Sequence, residues 1–255
     1  MAVSLTLPTI QNWSCHNCGG CCRQHEIEVT PEERQRILSQ GWTEQDGTPT
    51  GNALFEWHAW PPWAKRYRLA HRADGACVFL TDEGLCRIHA KFGEPAKPLA
   101  CRVYPYAFHP AGKKVVVSLR FSCPSVVANR GRTMNQNSDE IRQIARAVVP
   151  DGFEKMPPPQ ISARERVDWP DALRFVDAID ATLATPGVPI TLKLQRTLFW
   201  LSLVDQAQFE KLSGARLTEF LDLIRQAADD ELPNVVRQSD ADAKPSAIAG
   251  VHFRL

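Results

Sequence analysis

The sequence predicts an α+β fold, in which a small, irregular, cysteine-rich part with a short sheet is followed by a helical part. Three observations predict it. All eight cysteines lie before residue 124. The best strand candidate, residues 115–121, lies in the same part of the chain, whereas amphipathic helical patterns follow residue 170. Between them, residues 156–159 read Met-Pro-Pro-Pro, which no helix interior tolerates.

This proline-rich stretch divides the chain. We expect a cysteine-cluster, metal-binding domain over residues 1–135 and a helical region over residues 136–255. The final residues, 251–255, are largely apolar and contain no helix terminator. The helical region could therefore be truncated, and the chain could be a fragment of a longer protein.

Local signals predict the elements of the first part. Residues 3–12 are expected to be extended. Thr30 and Glu33 form the pattern of a capping box, with Pro31 in the first helical position, and Gly41 marks the end of that helix. The β-branched run at residues 115–121 predicts a strand that leads to the last cysteine.

Apolar stripes predict three helices in the second part. They cover residues 173–183, 192–203 and 217–227. The middle stripe is apolar nearly all round, which indicates a central, buried helix. We interpret all three stripes as core and not as a cofactor site.

Composition and charge limit the classes of partner. The chain has 30 basic and 29 acidic residues, so its formal net charge of +1 favours neither nucleic acid nor a membrane surface. We find no signal peptide and no apolar run long enough to span a membrane. We therefore expect a cytoplasmic protein with reduced cysteines rather than a disulfide framework. The sequence gives no indication of the oligomeric state.

Four of the cysteines are packed into eight residues with the spacing C-x2-C-x2-C-C: Cys15, Cys18, Cys21 and Cys22. Thiolates are soft metal ligands, and two-residue spacings let them converge on one centre. Gly19 and Gly20 would allow the backbone to pass close to a bulky cluster. Successive x2 spacings resemble a ferredoxin loop more than paired zinc knuckles, and Cys123 precedes proline as the last ferredoxin cysteine does. The pattern favours an iron–sulfur cluster, 4Fe–4S before other types, over zinc.

The number of centres stays open at this point. Cys22 directly follows Cys21, and neighbouring side chains in extended chain point apart, so the two could serve different centres. Eight thiolates suffice for two tetrathiolate centres or for one centre with further structural cysteines. His16, His25 and His89 are not required as ligands, and we expect them beside the site or at the surface.

An ordered series of motifs resembles a known family. It consists of Cys15-x2-Cys18-x2-Cys21-Cys22, Gly75-Ala76-Cys77-Val78-Phe79-Leu80, Gly84-Leu85-Cys86-Arg87-Ile88-His89, Pro98-Leu99-Ala100-Cys101-Arg102-Val103-Tyr104-Pro105 and Cys123-Pro124. It is similar to the cysteine-cluster family of zinc- or iron-chelating domains, which includes flagellin lysine N-methylase. The resemblance covers about residues 13–132.

The resemblance implies a set of site residues. The implied metal ligands are Cys15, Cys18, Cys21, Cys22, Cys77, Cys86, Cys101 and Cys123. Arg102 and Pro105, in the Cys-Arg-x-x-Pro motif, are implied to shape the site, and we predict that Arg102 contacts the bound cofactor. A guanidinium beside several thiolates would also offset their negative charge and donate hydrogen bonds to sulfur.

Three functions follow as hypotheses. The first is a metal-binding protein with an iron–sulfur cluster. The second, implied by the resemblance, is an S-adenosylmethionine-dependent lysine N-methyltransferase with a protein substrate, although the sequence lacks a glycine-rich turn of the dinucleotide or methyltransferase type. The third is a structural zinc module without catalysis, whose metal-binding energy would be folding energy. An electron carrier would require a cluster edge near the surface.

Overall fold

The computed structural model describes residues 3–57, 66–162, 165–209 and 211–232. The chain divides into two compact units, Met1–Glu154 and Lys155–Leu255. Short sheets occur in the first unit and long helices in the second, which confirms the α+β class. The domain boundary expected at residue 135 stays a prediction. The apolar ending at residues 251–255 lies outside the described residues.

The elements of the first unit alternate between short strands and short helices. In chain order they are β1 (Leu5–Thr6), β2 (Asn12–Trp13), α1 (Cys21–Gln24), β3 (Glu28–Val29), α2 (Pro31–Ser39), β4 (Phe55–Trp57), β5 (Tyr67–Leu69), α3 (Arg87–Phe92), α4 (Leu99–Val103), β6 (Tyr106–Ala111), β7 (Lys114–Leu119), α5 (Pro124–Val127), β8 (Arg132–Thr133) and α6 (Ser138–Val148). Short 3₁₀ turns cover Glu44–Asp46, Gly51–Leu54, Glu94–Ala96 and Phe153–Lys155.

The predicted strand at residues 115–121 is confirmed as β7, which ends slightly earlier than expected. It pairs with β6 in an antiparallel hairpin and with β1 in parallel, in the order β1-β7-β6. The inward residues of this sheet, Tyr106 and Val117, pack against Ile141 and Ile144 of α6. Because β7 is packed in this core, the chain reaches Cys123 from a well-anchored strand.

A second sheet has the order β3-β5-β4 and packs against α2. The predicted start of α2 is confirmed: the Thr30 hydroxyl accepts a hydrogen bond from the Glu33 backbone, and the Glu33 carboxylate accepts one from the Thr30 backbone. Ile37 faces the core of this part, where it shares a cluster with Phe79 and Cys77. One of the later cysteines is therefore part of the hydrophobic core.

The two-stranded pair β2–β8 lies next to the first cysteines. Asn12 pairs with Thr133 and Trp13 with Arg132. The Asn137 side chain donates a hydrogen bond to the carbonyl oxygen of Trp13. These contacts anchor the chain immediately before Cys15.

The second unit contains α7 (Trp169–Leu183), α8 (Ile190–Gln206) and α9 (Gly214–Glu231), as the three apolar stripes predict. Phe175, Trp200 and Leu221 contribute to its core, one from each helix. The expectation of a central, buried middle helix is wrong in part: Trp200 and Val204 of α8 are buried, but Leu194 and Leu198 are 50% and 68% exposed. No helix within the described ranges is long and apolar enough to cross a membrane.

Candidate metal centre

The first cysteines lie on an irregular loop between β2 and α1. Asn17 and Gly19 adopt left-handed backbone conformations, with φ of 58° and 67°, which bend the chain sharply between cysteines. The backbone N–H of Asn17 donates to the Cys15 sulfur at 3.5 Å. Cys15 and Cys18 are exposed on this loop. We refer to residues 15–20 as the cysteine loop.

Neighbouring elements hold the cysteine loop in place. His16 hydrogen-bonds through Nδ1 to the hydroxyl of Ser125, a buried residue of α5. On another side, Gly84 packs directly against the backbone of Asn17. The loop is therefore fixed by segments that carry later cysteines.

The later cysteines are placed by local backbone structure. Cys86 immediately precedes α3 and Cys123 immediately precedes α5, while Cys21 is the first residue of α1. Cys77 is tied directly to the first run, because its N–H donates to the carbonyl oxygen of Cys22 at 2.8 Å.

Two adjoining cavities bring the cysteines together. The larger, of about 580 Å³, is lined by seven of them: Cys15, Cys18, Cys21, Cys22, Cys86, Cys101 and Cys123. The smaller, of about 570 Å³, is lined by five: Cys21, Cys22, Cys77, Cys86 and Cys101. All eight thus line one cavity or the other, and four line both. We call them the larger and the smaller cavity.

The thiols do not converge on a common point. Among the described residues, no three His, Cys, Asp or Glu side chains are arranged so that they could hold one metal ion. The donor set nevertheless fits a soft metal or an iron–sulfur cluster, since several thiols surround the same space and thiolates are the ligands that such centres prefer.

The structure corrects the expected geometry of Cys21 and Cys22. They lie in α1 and not in extended chain, and their sulfur atoms are 3.9 Å apart. The Cys22 thiol hydrogen-bonds to Cys21, and this contact lowers the pKa of Cys21 to about 6. The same contact, together with burial, raises the pKa of Cys22. The premise that the two side chains point apart is therefore wrong; whether they serve one centre stays a prediction.

Burial and nearby charge also shift the pKa values of two other thiols. Burial raises the pKa of Cys77 to about 11 and raises that of Cys101 further. Lys97 opposes this effect at Cys101 and also helps to lower the pKa of Cys21. Lys97 lines both cavities and was missed by the sequence motifs, although it lies only four residues before Cys101.

Arg102 lines the larger cavity, and its Nε donates to the Glu94 carboxylate at 2.9 Å. The ion pair fixes the guanidinium beside the cysteines without placing it on a sulfur atom. The Tyr104–Pro105 peptide is cis, and the Tyr104 ring packs against His25 with ring centres 4.8 Å apart. The role of Arg102 toward a cofactor stays a prediction.

Comparison with known proteins agrees with this site. Residues 14–129 match the family described as "CxxCxxCC: Putative zinc- or iron-chelating domain". The resemblance inferred from the motifs is thereby confirmed over this segment, and the match supports metal binding. No curated protein and no solved structure matches the chain.

Proposed function

Because residues 14–129 match a metal-chelating domain, we propose that this chain binds an iron–sulfur cluster, of 4Fe–4S type, on its clustered cysteines. The observation that carries the proposal is the placement of all eight cysteines around two adjoining cavities. Segments far apart in sequence contribute to these cavities, which a fold would not be expected to bring together for packing alone. The proposed ligands come from the eight cysteines, with Arg102 beside them.

The local environment supports thiolate ligation. Lys97 supplies a positive charge that offsets part of the negative charge of several thiolates. Burial of Cys77 and Cys123 would exclude water from one side of a cluster.

Anaerobic purification tests the proposal. We expect iron and acid-labile sulfide in stoichiometric amounts, with a broad visible absorption band. Cys18→Ala should lose most of this metal, whereas Cys22→Ala should lose less of it or a different portion. Gln24→Ala, an exposed change on α1, is the matched control and should keep full metal content. Full metal content in Cys18→Ala would contradict the assignment.

A zinc site is favoured by one specific distance. In a tetrahedral zinc–thiolate site with bonds of about 2.3 Å, neighbouring sulfurs lie about 3.8 Å apart. The Cys21 and Cys22 sulfurs, at 3.9 Å, already match this separation. Purified protein that contains zinc but no sulfide would support a structural zinc module in place of the cluster.

A methyltransferase function is supported by the smaller cavity. Its volume of about 570 Å³ is typical of small-molecule sites, and it lies against the cysteines. S-adenosylmethionine is the cofactor to test, by calorimetry on metal-loaded and metal-free protein. Binding that weakens on metal removal would support lysine N-methyltransferase activity toward a protein substrate; no binding to metal-loaded protein would leave a metal-binding protein without this activity.

A further inference from the structure

The carboxylates of the chain are unevenly distributed. Residues 1–25 and 95–138 contain no Asp or Glu, although the chain has 29 acidic residues. The same two stretches contain eight cationic residues: Arg23, Lys97, Arg102, Lys113, Lys114, Arg120, Arg130 and Arg132. Although the net charge of the chain is only +1, these two stretches of the first unit are strongly cationic.

These two stretches meet beside the cysteine loop. The Asn12 N–H donates to the Asn129 side chain at 2.7 Å, and the Ser14 N–H donates to the Arg130 carbonyl oxygen at 3.2 Å. His16 hydrogen-bonds to Ser125 of α5. We use the name α5 face for the exposed residues on and around this helix: Ile10, Arg120, Phe121, Val127, Arg130 and Arg132.

The α5 face combines apolar and cationic groups. Ile10, Phe121 and Val127 are 83%, 64% and 63% exposed. Phe121 lies in the turn before α5, and Val127 is the last residue of α5. Exposed apolar residues surrounded by arginines are typical of a protein–protein interface, whereas nucleic-acid contacts are made mainly by polar and basic groups.

Arg130 is the cation of this face that is most available to a partner, because Arg120 also lines the smaller cavity and Arg132 the larger one. Among the ion pairs of the described residues, none includes Arg120 or Arg130, and Arg132 approaches Glu140 only at 3.8 Å. Two other carboxylates, Asp82 and Glu83, lie on the turn of Gly84 that packs against Asn17, whereas α5 contacts the loop through His16. Glu94, which lines the larger cavity, is paired with Arg102. The face therefore suits an acidic surface.

The cysteine loop brings the proposed centre to the same surface. Cys15 and Cys18 are exposed, and Cys15 is directly followed by His16, which contacts α5. A cluster bound by these thiolates would have an edge near solvent, beside the cationic face. Weak, charge-complementary contacts next to an exposed redox centre are typical of electron-transfer encounters.

We propose that the α5 face docks an acidic one-electron carrier protein, and this proposal rests on the proposed iron–sulfur function. With the cluster bound, one electron would pass from the reduced carrier, which would become oxidised, to the oxidised cluster, which would become reduced. No bond forms or breaks. The arginines steer the encounter and the apolar residues complete the contact.

The test uses anaerobically purified, cluster-loaded protein and a reduced, acidic 2Fe–2S ferredoxin. We expect the rate of cluster reduction to fall steeply with ionic strength. Arg130→Glu should lower this rate at low salt by about fivefold, and Phe121→Ser/Val127→Ser should weaken binding of the oxidised ferredoxin in calorimetry. Reduction by dithionite, which needs no docking, should be unchanged in both variants.

Lys114→Glu is the matched control, because it also reverses one positive charge, at the start of β7. β7 has six residues, so this site is about 20 Å along the strand from Arg120. Equal rates in both charge-reversal variants, or ferredoxin binding without salt dependence, would overturn the proposal while leaving the cluster intact. Binding of single-stranded RNA that requires Arg130, without ferredoxin binding, would also overturn it. Protein without iron and sulfide would instead overturn the proposed function and this proposal with it.

Discussion

Gly84 packs against the carbonyl oxygen of Asn17 so closely that a β-carbon at residue 84 would overlap that oxygen. Gly84 precedes Cys86 by two residues, and Asn17 lies between Cys15 and Cys18 on the cysteine loop. The absence of a side chain at residue 84 thus lets two cysteine-bearing segments meet backbone to backbone. This contact helps to bring cysteines that are about 70 residues apart to the larger cavity.

Gly84→Ala should therefore displace the cysteine loop and reduce metal content. Gly75→Ala is a matched control, because Gly75 has nearly the same backbone conformation, φ 78° against 81°, but no atom within 4 Å of its would-be β-carbon. Both substitutions should cost about 1 kcal/mol from the left-handed backbone. Only Gly84→Ala should also lose metal, measured by elemental analysis and thermal unfolding. Equal metal content in both variants would show that the contact does not position the cysteines.

The Cys21–Cys22 contact predicts a pH dependence in metal-free protein. The hydrogen bond from Cys22 is the largest cause that lowers the pKa of Cys21 to about 6. Since the thiolate is the reactive form, alkylation of Cys21 should speed up as the pH rises through 6 and level off above it. Cys22→Ala removes the donor, so the midpoint should move up toward the ordinary thiol value of about 8.5.

Cys22→Ser is the control for this prediction, because serine keeps an O–H donor next to Cys21. In Cys22→Ser, the alkylation rate of Cys21 should depend on pH nearly as it does in the unmodified protein, and more closely than in Cys22→Ala. Peptide mass spectrometry separates Cys21 from the exposed Cys15 and Cys18. Identical midpoints in the alanine and serine variants would show that the hydrogen bond does not set the pKa.

Lys97 should contribute to metal affinity through its charge. It favours the thiolate forms of Cys21 and Cys101, so Lys97→Met should raise the pKa of both and weaken metal binding by about tenfold. Lys91→Met is the matched control, because Lys91 pairs with Asp46 and does not line either cavity. A competition titration with a chromophoric chelator measures both. Equal metal affinities in the two variants would show that the charge of Lys97 does not contribute to metal binding.

Local signals predicted much of the fold. The capping box of α2 and the β-branched run of β7 depend on neighbours a few residues away, so the sequence contains most of the information they need. The cysteine motifs likewise predicted which residues gather around the cavities. Their local spacing did not predict how the cysteines are divided between the two cavities, because that depends on long-range contacts such as Cys77 to Cys22.

The errors have physical causes. The extended-chain assumption for Cys21 and Cys22 failed because four residues after Gly20 form a helical turn, which is too short to show a period in the sequence. Leu194 and Leu198 were expected to be buried because the residues of α8 are apolar on nearly every side. Within the described residues, α7 and α9 pack against α8, and Leu194 and Leu198 lie on a face that they leave exposed.

Removal of metal should affect the two units differently. In the first unit, Cys77 packs with Ile37 and Phe79, and Cys123 packs in the core beneath β7. The core of the second unit is built without cysteine. Metal ligation by these cysteines would therefore link loops and core in the first unit, and its binding energy would also stabilise the fold.

Hydrogen exchange on metal-loaded and chelated protein measures this difference. Chelation should increase exchange strongly around Cys77 and Cys86, where backbone hydrogen bonds join cysteine-bearing turns. Amides around Leu192–Leu203 and in α9 should stay protected, because Trp200 and Leu221 pack with apolar partners alone. The capped helix α2 should show an intermediate change, since it packs against Cys77 but does not carry a ligand. Equal loss of protection in all three regions would show that the chain unfolds as one cooperative domain.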